Sequence, residues 1–554
     1  MYAPKVGRRA PRQAAAAQSH TAATTVRTLT AVAVIAVLSA IAGCTAPLVL
    51  PGAAYASRGT SPSGQPPTAR TRAPSAPVSV LTDTSSPIEL TARFARTVFA
   101  TSPVVVVASA VGGKTGRAAD KTIAAAASAA SAAHAPLLLA PQPLTPKDIV
   151  QLAAAVKALR PMAVLVEGLP TSALAAWLPG VRFVSQPTEL PATGTPARRA
   201  GLAVLLLDPA AKRSPARPAA YATAAEIIAI TATARAVGAT VIDATTRDPR
   251  LDRAEIRTLA RRSPRHVVAI GSAFGSVSRL SARLAVAETG RQLPGGGQVL
   301  FPGRRLVALY GHPDTQGLGV LGQQDLPASI ARVQRIAAAY QPLSTVPVVP
   351  AFEIIATVAE AAPGPDGTYS YQTPVAQLLP WIKQATAAGV YVVLDLQPGR
   401  ASLLAQARAY QSLLELPDVG LGLDPEWKLL PGQKPLRQIG HVDISEVNDV
   451  IGWIAALTAR HHLPQKLLVI HQFQLAMIVG EQHLDTSNDD LAIVIHMDGQ
   501  GTPAAKETTW NAVTSVAPPG VSFGWKDFLV MDHPTFTPRQ TMEQSPLPVM
   551  ISYQ

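Results

Sequence analysis

Acidic, basic and amide side chains follow a series of apolar runs in the C-terminal half of this chain. The sharpest group is Asp424-Pro425-Glu426-Trp427, where two carboxylates stand two residues apart and an indole follows them. Two neighbouring carboxylates can do acid–base chemistry, because burial and mutual repulsion raise the pKa of one of them until it can protonate a leaving group. The indole offers a flat face to a sugar ring. The pattern therefore indicates cleavage of a glycosidic bond, with Glu426 as the general acid.

Further polar residues stand at the ends of other apolar runs. Asp424, Asp395 and Asp498 are the carboxylates that could complete a catalytic pair with Glu426. A separation of about 5 Å between the two carboxyl groups is typical of retaining glycosidases, and one of about 6.5–9.5 Å is typical of inverting ones. The side chains expected to bind substrate hydroxyls or stack on a sugar are Trp427, Gln397, His471, Gln472, His496 and Lys526.

The same residues also have a structural interpretation. Asp424 would cap the following loop, Glu426 would pair with Lys428 or Arg437, and the glutamine and histidine side chains would satisfy one another in the top layer of a barrel core. The C-terminal domain would then be a degenerate barrel that serves as a non-catalytic binding module or scaffold, since a fold alone does not imply a function. Whether the domain is an enzyme stays open at this point.

Metal and nucleophile chemistry have weaker support. A zinc site would gather His312, His471, His496 and Asp498, because imidazole and carboxylate are ordinary zinc ligands. No two of these histidines have the H-x-H or H-E-x-x-H spacing that would hold a metal locally. A G-x-S-x-G elbow for a serine nucleophile is missing, and the single cysteine stands near the N-terminus. We therefore expect no metal and no other cofactor.

The eight apolar runs that carry these residues predict a closed (β/α)8 barrel over residues 301–554. Parallel strands buried on both faces give continuous apolar runs, and amphipathic stretches such as residues 374–388 and 444–461 separate them. Such barrels place their sites at the C-terminal strand ends. An eighth strand within residues 547–553 should close the barrel beside the first, and the last helix should be missing. The runs cover residues 306–310, 346–355, 390–396, 419–423, 467–470, 491–495, 521–528 and 549–553.

The preceding 200 residues predict an α/β region with an internal repeat. Residues 88–198 and 199–300 each contain a β-α-β-α-β pattern, at a spacing of about a hundred residues. The first copy resembles the type-2 cell-wall-binding repeat of surface proteins. The matching elements are a strand ending at Ala108-Ser109, Asp120 at the start of an Ala-rich helix, the segment APLLLAP, a Leu-Thr-Pro helix start and a strand ending near Gly168. The resemblance implies binding to cell-wall polysaccharide or an anionic wall polymer, usually by three repeats, of which this chain has two.

From residue 301 onward the segments GLDPEW, LPQKLLVIHQF and ISYQ are similar to an uncharacterised C-terminal domain of actinobacterial lipoproteins. That resemblance implies a location at the cell surface and no particular reaction.

The first 44 residues predict a signal peptide. A basic segment precedes the apolar residues 29–42, and Ile41-Ala42-Gly43-Cys44 resembles a bacterial lipobox with the only cysteine of the chain at its modified position. Lipidation of Cys44 would anchor the protein to the membrane outside the cytoplasm. The alternative is secretion after cleavage at Ala56, since Ala54-Tyr55-Ala56 is an A-x-A site. Residues 45–87, rich in Pro, Ser and Thr, are expected to be a disordered spacer.

Charge argues against nucleic acid as a partner. The net charge is +13, but eight basic and no acidic residues fall within residues 1–72, and the rest of the chain has no basic stripe. The segment ASAVGGKT at residues 108–115 fits a relaxed phosphate-binding loop, in which Lys114 and Thr115 would hold phosphate and magnesium. Its first position is Ala rather than Gly, and an exported protein meets little nucleotide. We therefore expect a Gly-rich turn there, and no nucleotide.

Overall fold

A computed structural model describes residues 65–82, 86–111, 117–207 and 222–554, without the side chains of residues 111 and 117–120. The predicted signal peptide, the lipobox with Cys44, the alternative cut at Ala56 and the Lys114-Thr115 turn lie outside these residues, as does the side chain of Asp120. Within the described ranges, no helix combines the length and the apolar character needed to cross a bilayer.

Residues 305–553 form a closed barrel of eight parallel strands. The last strand pairs with the first through Leu306 and Met550, and the register continues to Leu309 and Tyr553. The predicted closure is therefore confirmed, and no described helix follows the eighth strand. In chain order the strands are Arg305–Gly311, Val348–Ala359, Tyr391–Leu396, Val419–Leu423, Lys466–Gln472, Leu491–Met497, Ser522–Asp527 and Met550–Tyr553.

Helices connect most of these strands on the outside of the barrel. The connection from the fifth strand to the sixth has two short 3-10 turns and the two-residue strand Ile478–Val479 but no α-helix in the described residues, and the predicted helix over 403–416 is split in two. A short antiparallel strand, Ser370–Gln372, pairs with the end of the second strand. The helices are Leu326–Tyr340, Val375–Ala387, Leu403–Ala409, Gln411–Leu414, Ile444–Arg460, Pro503–Val516 and Pro538–Met542.

Alternation along each strand decides which side chains face the barrel interior. Val307 and Leu309 pack against the helices, whereas Leu306 and Ala308 belong to the separate apolar cluster inside the barrel. Because successive side chains of a strand point to opposite faces, the next inward position after Ala308 is Tyr310. Every strand brings its own inward residue to the C-terminal end in this way. The interior is apolar at the N-terminal end and polar at the C-terminal end.

Residues before the barrel form two four-stranded parallel sheets. In the first, the strands lie in the order Leu137–Gln142, Val104–Val111, Ala163–Glu167 and Arg182–Val184. In the second, the order is Val78–Leu81, His266–Ile270, Leu202–Leu207 and Thr240–Ala244. Each sheet contains one β-α-β-α-β unit, and both units place their second, first and third strands side by side in that order. The helices of this region are Pro87–Val98, Arg117–Ala132, Pro146–Leu159, Ser172–Ala175, Ala224–Ala236, Arg253–Arg262 and Val277–Glu288.

The expectation of a disordered spacer up to residue 87 is wrong for its last part. The strand Val78–Leu81 pairs in parallel with His266–Ile270 of the second sheet, and Arg70–Thr71 pairs with Phe99–Thr101. Composition concealed this, because four residues suffice for an edge strand when a distant strand supplies the partner. The second sheet is therefore completed by a segment that precedes the first unit in the chain.

Replacement of Leu81 with Ala should test this strand. Leu81 is buried at the end of the pairing with Ile270. We expect its truncation to lower the free energy of unfolding by about 2 kcal/mol or more, because a buried leucine leaves a cavity. Ser79→Ala, on the same strand, should change it by less than about 0.5 kcal/mol. Equal stability of both variants in denaturant titrations would mean that the segment is a spacer after all.

Candidate active site

The C-terminal end of the barrel holds a buried ring of ionisable side chains from six different strands and the connections that follow them. His471, the second-last residue of the fifth strand, lies at its centre and is fully buried. Its Nε2 atom lies 3.1 Å from Glu353 Oε1 and 3.6 Å from Asp395 Oδ1. Its Nδ1 atom lies 3.2 Å from Asp498 Oδ2. One imidazole thus contacts three carboxylates, which come from the second strand, the third strand and the loop after the sixth strand.

A second cation reaches the same ring from the seventh strand. Lys526 Nζ lies 3.8 Å from Asp498 Oδ2 and 3.6 Å from the centroid of the Tyr310 ring. Tyr310 donates a hydrogen bond of 2.8 Å to Asp395 Oδ2 and accepts one of 3.3 Å from Gln397. Successive contacts therefore form a closed ring of five side chains, in the order His471, Asp395, Tyr310, Lys526 and Asp498.

Glycines in the neighbouring strands make room for these side chains. A Cβ atom on Gly422 would lie 3.0 Å from Asp395 Oδ1, and one on Gly524 would lie 2.4 Å from His496 Cδ2. His496 is fully buried, stacks at a tilt 5.2 Å from His471 and bonds Ser552 Oγ at 3.2 Å. The small residues in strands four and seven are thus part of the site's construction.

Glu426 stands at the edge of the ring in the loop after the fourth strand. Among the described residues its carboxylate has no hydrogen bond or ion pair. Lys428, one of its two expected partners, pairs with Glu446 at 2.7 Å instead. With Trp427 and Arg437 it lines a cleft of about 340 Å³ under residues 429–439. The structural interpretation of this loop is therefore wrong in its particulars: Glu426 has no ion pair with Lys428 or Arg437, and Asp424 makes no capping hydrogen bond.

Burial and repulsion keep protons on part of this cluster. Burial, together with the nearby charge of Asp498, raises the pKa of Glu426 to about 7. Burial raises the pKa of Asp424 well above its ordinary value, and the charges of Glu426 and Asp395 add to the effect. Burial also raises the pKa of Asp395, against the opposing effect of His471. Three carboxyl groups of the cluster thus hold protons more tightly than usual.

Asp498 and the two histidines behave differently. Burial opposes the ionised form of Asp498, but the hydrogen bond and charge of His471, followed by Lys526, lower its pKa below the usual value. Burial would lower the pKa of His471, yet Glu353, Asp498 and Asp395 together raise it far above 6.5. Burial and the charge of His471 lower the pKa of His496 strongly. At neutral pH the centre is a charged His471 beside a neutral His496 and an ionised Asp498.

The structure brings together most of the residues chosen from the sequence. His471 contacts Asp395, Asp498 and His496 directly, and Lys526 joins the group through Asp498. Around them lie Asp424, Glu426, Trp427 and Gln397. Gln472 points elsewhere, because its amide bonds Glu481 in the loop after the fifth strand. His312, weighed as a metal ligand, bonds Thr373 instead.

Two neighbours of His471 were given no site role from the sequence: Tyr310 was not recognised, and Glu353 was recognised only as a polar residue at a strand end. Glu353 and Tyr310 both face His471, and they occupy aligned positions in the first two strands. Strand alternation could have found them, since each stands two residues after an inward alanine, Ala351 or Ala308.

Several buried polar atoms of the ring have no hydrogen-bond partner among the described residues. They include one carboxylate oxygen each of Glu353, Asp395, Asp424 and Asp498, and His496 Nδ1. Buried polar atoms are normally satisfied, so this group marks a place where polar ligand atoms would be favoured. No group of three or more His, Cys, Asp or Glu side chains in the described part of the chain is arranged to hold a metal ion.

Comparison with known proteins adds no family assignment. No protein-family model, no curated protein and no solved structure matches the chain.

The crowding at Gly524 gives a stability test of the site's construction. Gly524→Ala should lower the free energy of unfolding by about 1–3 kcal/mol, because the added methyl overlaps the buried His496 ring. Gly452→Ala is the matched control: it lies exposed in the helix Ile444–Arg460 with no atom near its Cβ position, and should raise stability by about 0.5–1 kcal/mol. Thermal or denaturant unfolding checks both signs, and a neutral Gly524→Ala would contradict the packing.

Proposed function

We propose that this protein is an exported, lipid-anchored cell-surface protein whose barrel is a glycoside hydrolase acting on a surface polysaccharide. The observation that carries the proposal is a pair of neighbouring carboxyl groups, Glu426 and Asp498, whose pKa values are displaced in opposite directions at the mouth of the barrel. Such a divided pair is what acid–base cleavage of a glycosidic bond requires.

Glu426 suits the role of general acid. Its pKa of about 7 keeps a large fraction protonated at neutral pH, and its proton is not committed to a partner in the described residues. It borders the cleft beside Trp427, whose indole would stack on a sugar ring in the leaving-group or neighbouring position. The acid and a sugar-binding surface thus adjoin one another in the same loop.

Asp498 suits the role of base or nucleophile better than the other candidates do. His471 Nδ1 and Lys526 Nζ both approach the same oxygen, Oδ2, and hold the group ionised. Asp395 and Asp424 have raised pKa values and are at most 1 % exposed, against 7 % for Asp498. Asp395 and Glu353 would then serve to keep His471 charged and oriented.

The membrane anchor and the wall-binding units are further parts of the proposal, and one feature of the N-terminal region supports them. Lipidation of Cys44 would hold the protein at the membrane, and the two β-α-β-α-β units would bind the wall. In support of a polyanionic wall partner, a cleft of about 560 Å³ at the second sheet is lined by Arg198, Arg199, Arg262 and Arg265 without an acidic residue. An anionic wall polymer is the partner that such a lining favours.

A non-catalytic barrel that binds a glycan without cleaving it is the second candidate. The observation that favours it is the complete burial of Asp395, His471 and His496, as expected for a charge network that only supports the core.

Replacement of Glu426 with Gln separates the two candidates. We expect this variant of the exported protein to lose roughly a hundredfold or more in kcat on isolated wall polysaccharide, measured as new reducing ends, because the proton donor is gone while the shape is kept. Glu507→Gln, an exposed glutamate on an outer helix, is the matched control and should keep full activity. Equal turnover in both variants would overturn the assignment of the acid. Binding without turnover in the unmodified protein would favour the second candidate.

The pH dependence should report the same acid. The catalytic form needs Glu426 protonated and Asp498 ionised, so kcat/KM should fall as the pH rises through about 7. On the acid side activity should persist below the usual aspartate range, because the pKa of Asp498 is lowered.

Asp498→Asn removes a charge that raises the pKa of Glu426, and a carboxyl NMR titration should show that pKa lowered. An unchanged Glu426 titration in this variant would argue against their coupling.

A further inference from the structure

Exposed apolar side chains of the barrel are concentrated at its mouth. Eleven large apolar side chains between residues 305 and 554 are exposed. Two of them, Val516 and Leu547, lie at the N-terminal ends of the strands; the other nine lie on connections at the C-terminal ends, within residues 430–439, 475–479 and 529–531 and at Tyr371. Scattered exposed apolar residues need no explanation, but a one-sided concentration marks an interaction surface. We call these nine side chains the rim.

The loops that carry the rim adjoin one another. The loops after the fourth and fifth strands pair as short parallel strands, with Val442 opposite Ile478. The loop after the seventh strand is held to the loop after the sixth, because Asp532 Oδ1 accepts a hydrogen bond of 2.9 Å from the Gly501 amide. Asp498, in that same loop, bonds back to the fifth strand. Eight of the nine rim side chains, all except Tyr371, therefore lie on loops that adjoin one another.

Charge in the most prominent loop is of one sign. Residues 428–440 contain Lys428, Lys434 and Arg437 and no acidic residue. Lys428 is paired with Glu446, but Lys434 and Arg437 are exposed and have no ion pair in the described residues. Apolar side chains interleaved with exposed cations are typical of segments that lie in the headgroup region of an anionic bilayer.

Leu436, at the tip of this loop, is in an unfavourable setting for a leucine in water. Its side chain is 83 % exposed and its backbone has a φ of 60°. A left-handed backbone disfavours residues other than Gly and Asn, so neither solvent nor backbone accounts for a leucine here. Insertion of the side chain into an apolar phase would account for it.

We propose that the rim docks the mouth of the barrel on the surface of an anionic phospholipid bilayer. The predicted lipid on Cys44 would hold the protein to the same bilayer, because the 21 residues from Cys44 to residue 65 reach at most about 75 Å. Resting on the proposed function, the substrate class is then a saccharide linked to a membrane lipid, because Glu426 lines the same cleft as the rim residues Leu436 and Ile439.

The test places a polarity-sensitive fluorophore at either end of the barrel. The full chain with Cys44→Ser has no other cysteine, so Val530→Cys and Leu547→Cys give single labelling sites at the mouth and at the opposite end. With vesicles of phosphatidylglycerol and phosphatidylcholine, we expect a blue shift and a rise in emission at position 530 and no change at position 547. Pure phosphatidylcholine vesicles should give a much weaker response.

Second variants separate docking from misfolding. Leu436→Asn should weaken the response at position 530 roughly tenfold in lipid concentration while leaving stability equal or higher, because Asn tolerates the left-handed backbone. Lys434→Glu should weaken it for anionic vesicles, whereas Lys383→Glu, exposed on an outer helix, should not. An equal response at both ends would overturn the proposal in favour of attachment through the N-terminal segment. A response at position 530 that depends on protein concentration without vesicles would overturn it in favour of a second copy.

Failure of docking and failure of catalysis are distinguishable. Glu426→Gln should keep the full fluorescence response, because Glu426 is not in the rim. A fluorescence response without any turnover would contradict the hydrolase assignment and would still support the docking surface. If the turnover rate on a glycolipid in vesicles does not change with Leu436→Asn, the proposal of a lipid-linked substrate is wrong.

Discussion

A protonated imidazole inside a closed barrel is the constraint to which the rest of the site is fitted. Taking the His471 cation out of water is costly unless carboxylates surround it, and removal of one partner from such a buried arrangement typically costs about 3–5 kcal/mol. Glu353 and Asp395 supply the compensation from two strands, and Asp498 supplies it from the loop after a third. Their bulk explains the small residues nearby, since a side chain at position 422 would collide with Asp395. Charge and packing at this end of the barrel are therefore two aspects of one arrangement.

The arrangement also shifts the pKa values of the carboxyl groups in opposite directions. Asp498 shares one oxygen between two cations and stays ionised, whereas Glu426 stands one layer further out with no cation on its oxygens. The negative charge that His471 stabilises on Asp498 is the same charge that raises the pKa of Glu426. A change in the charge of the buried centre should therefore shift the pKa of Glu426.

Much of the barrel and of this cluster was predictable from sequence, for a physical reason. Continuous apolar runs exist because the strands are buried on both faces, and the polar residue that ends each run marks the barrel mouth. The alternation that puts Asp395 and His471 inside would equally have placed Tyr310 and Glu353 there. Sequence could not separate Asp498 from Asp395 as the ionised partner, because that difference depends on which oxygen Lys526 and His471 approach. The strand Val78–Leu81 was missed because its partner lies in a distant part of the chain.

That strand has a consequence for the order in which the molecule assembles. Val78 pairs with Val267, 189 residues further along the chain, and the whole first sheet is made from residues between them. In N- to C-terminal order, the first β-α-β-α-β unit can fold as soon as its own residues are available, whereas Val78–Leu81 has no partner strand until His266–Ile270 has followed. The two units are therefore not independent, interchangeable modules. A gene rearrangement that deletes the second unit alone leaves Val78–Leu81 without its partner strand. One that moves the unit elsewhere without this strand gives a sheet that lacks its edge strand.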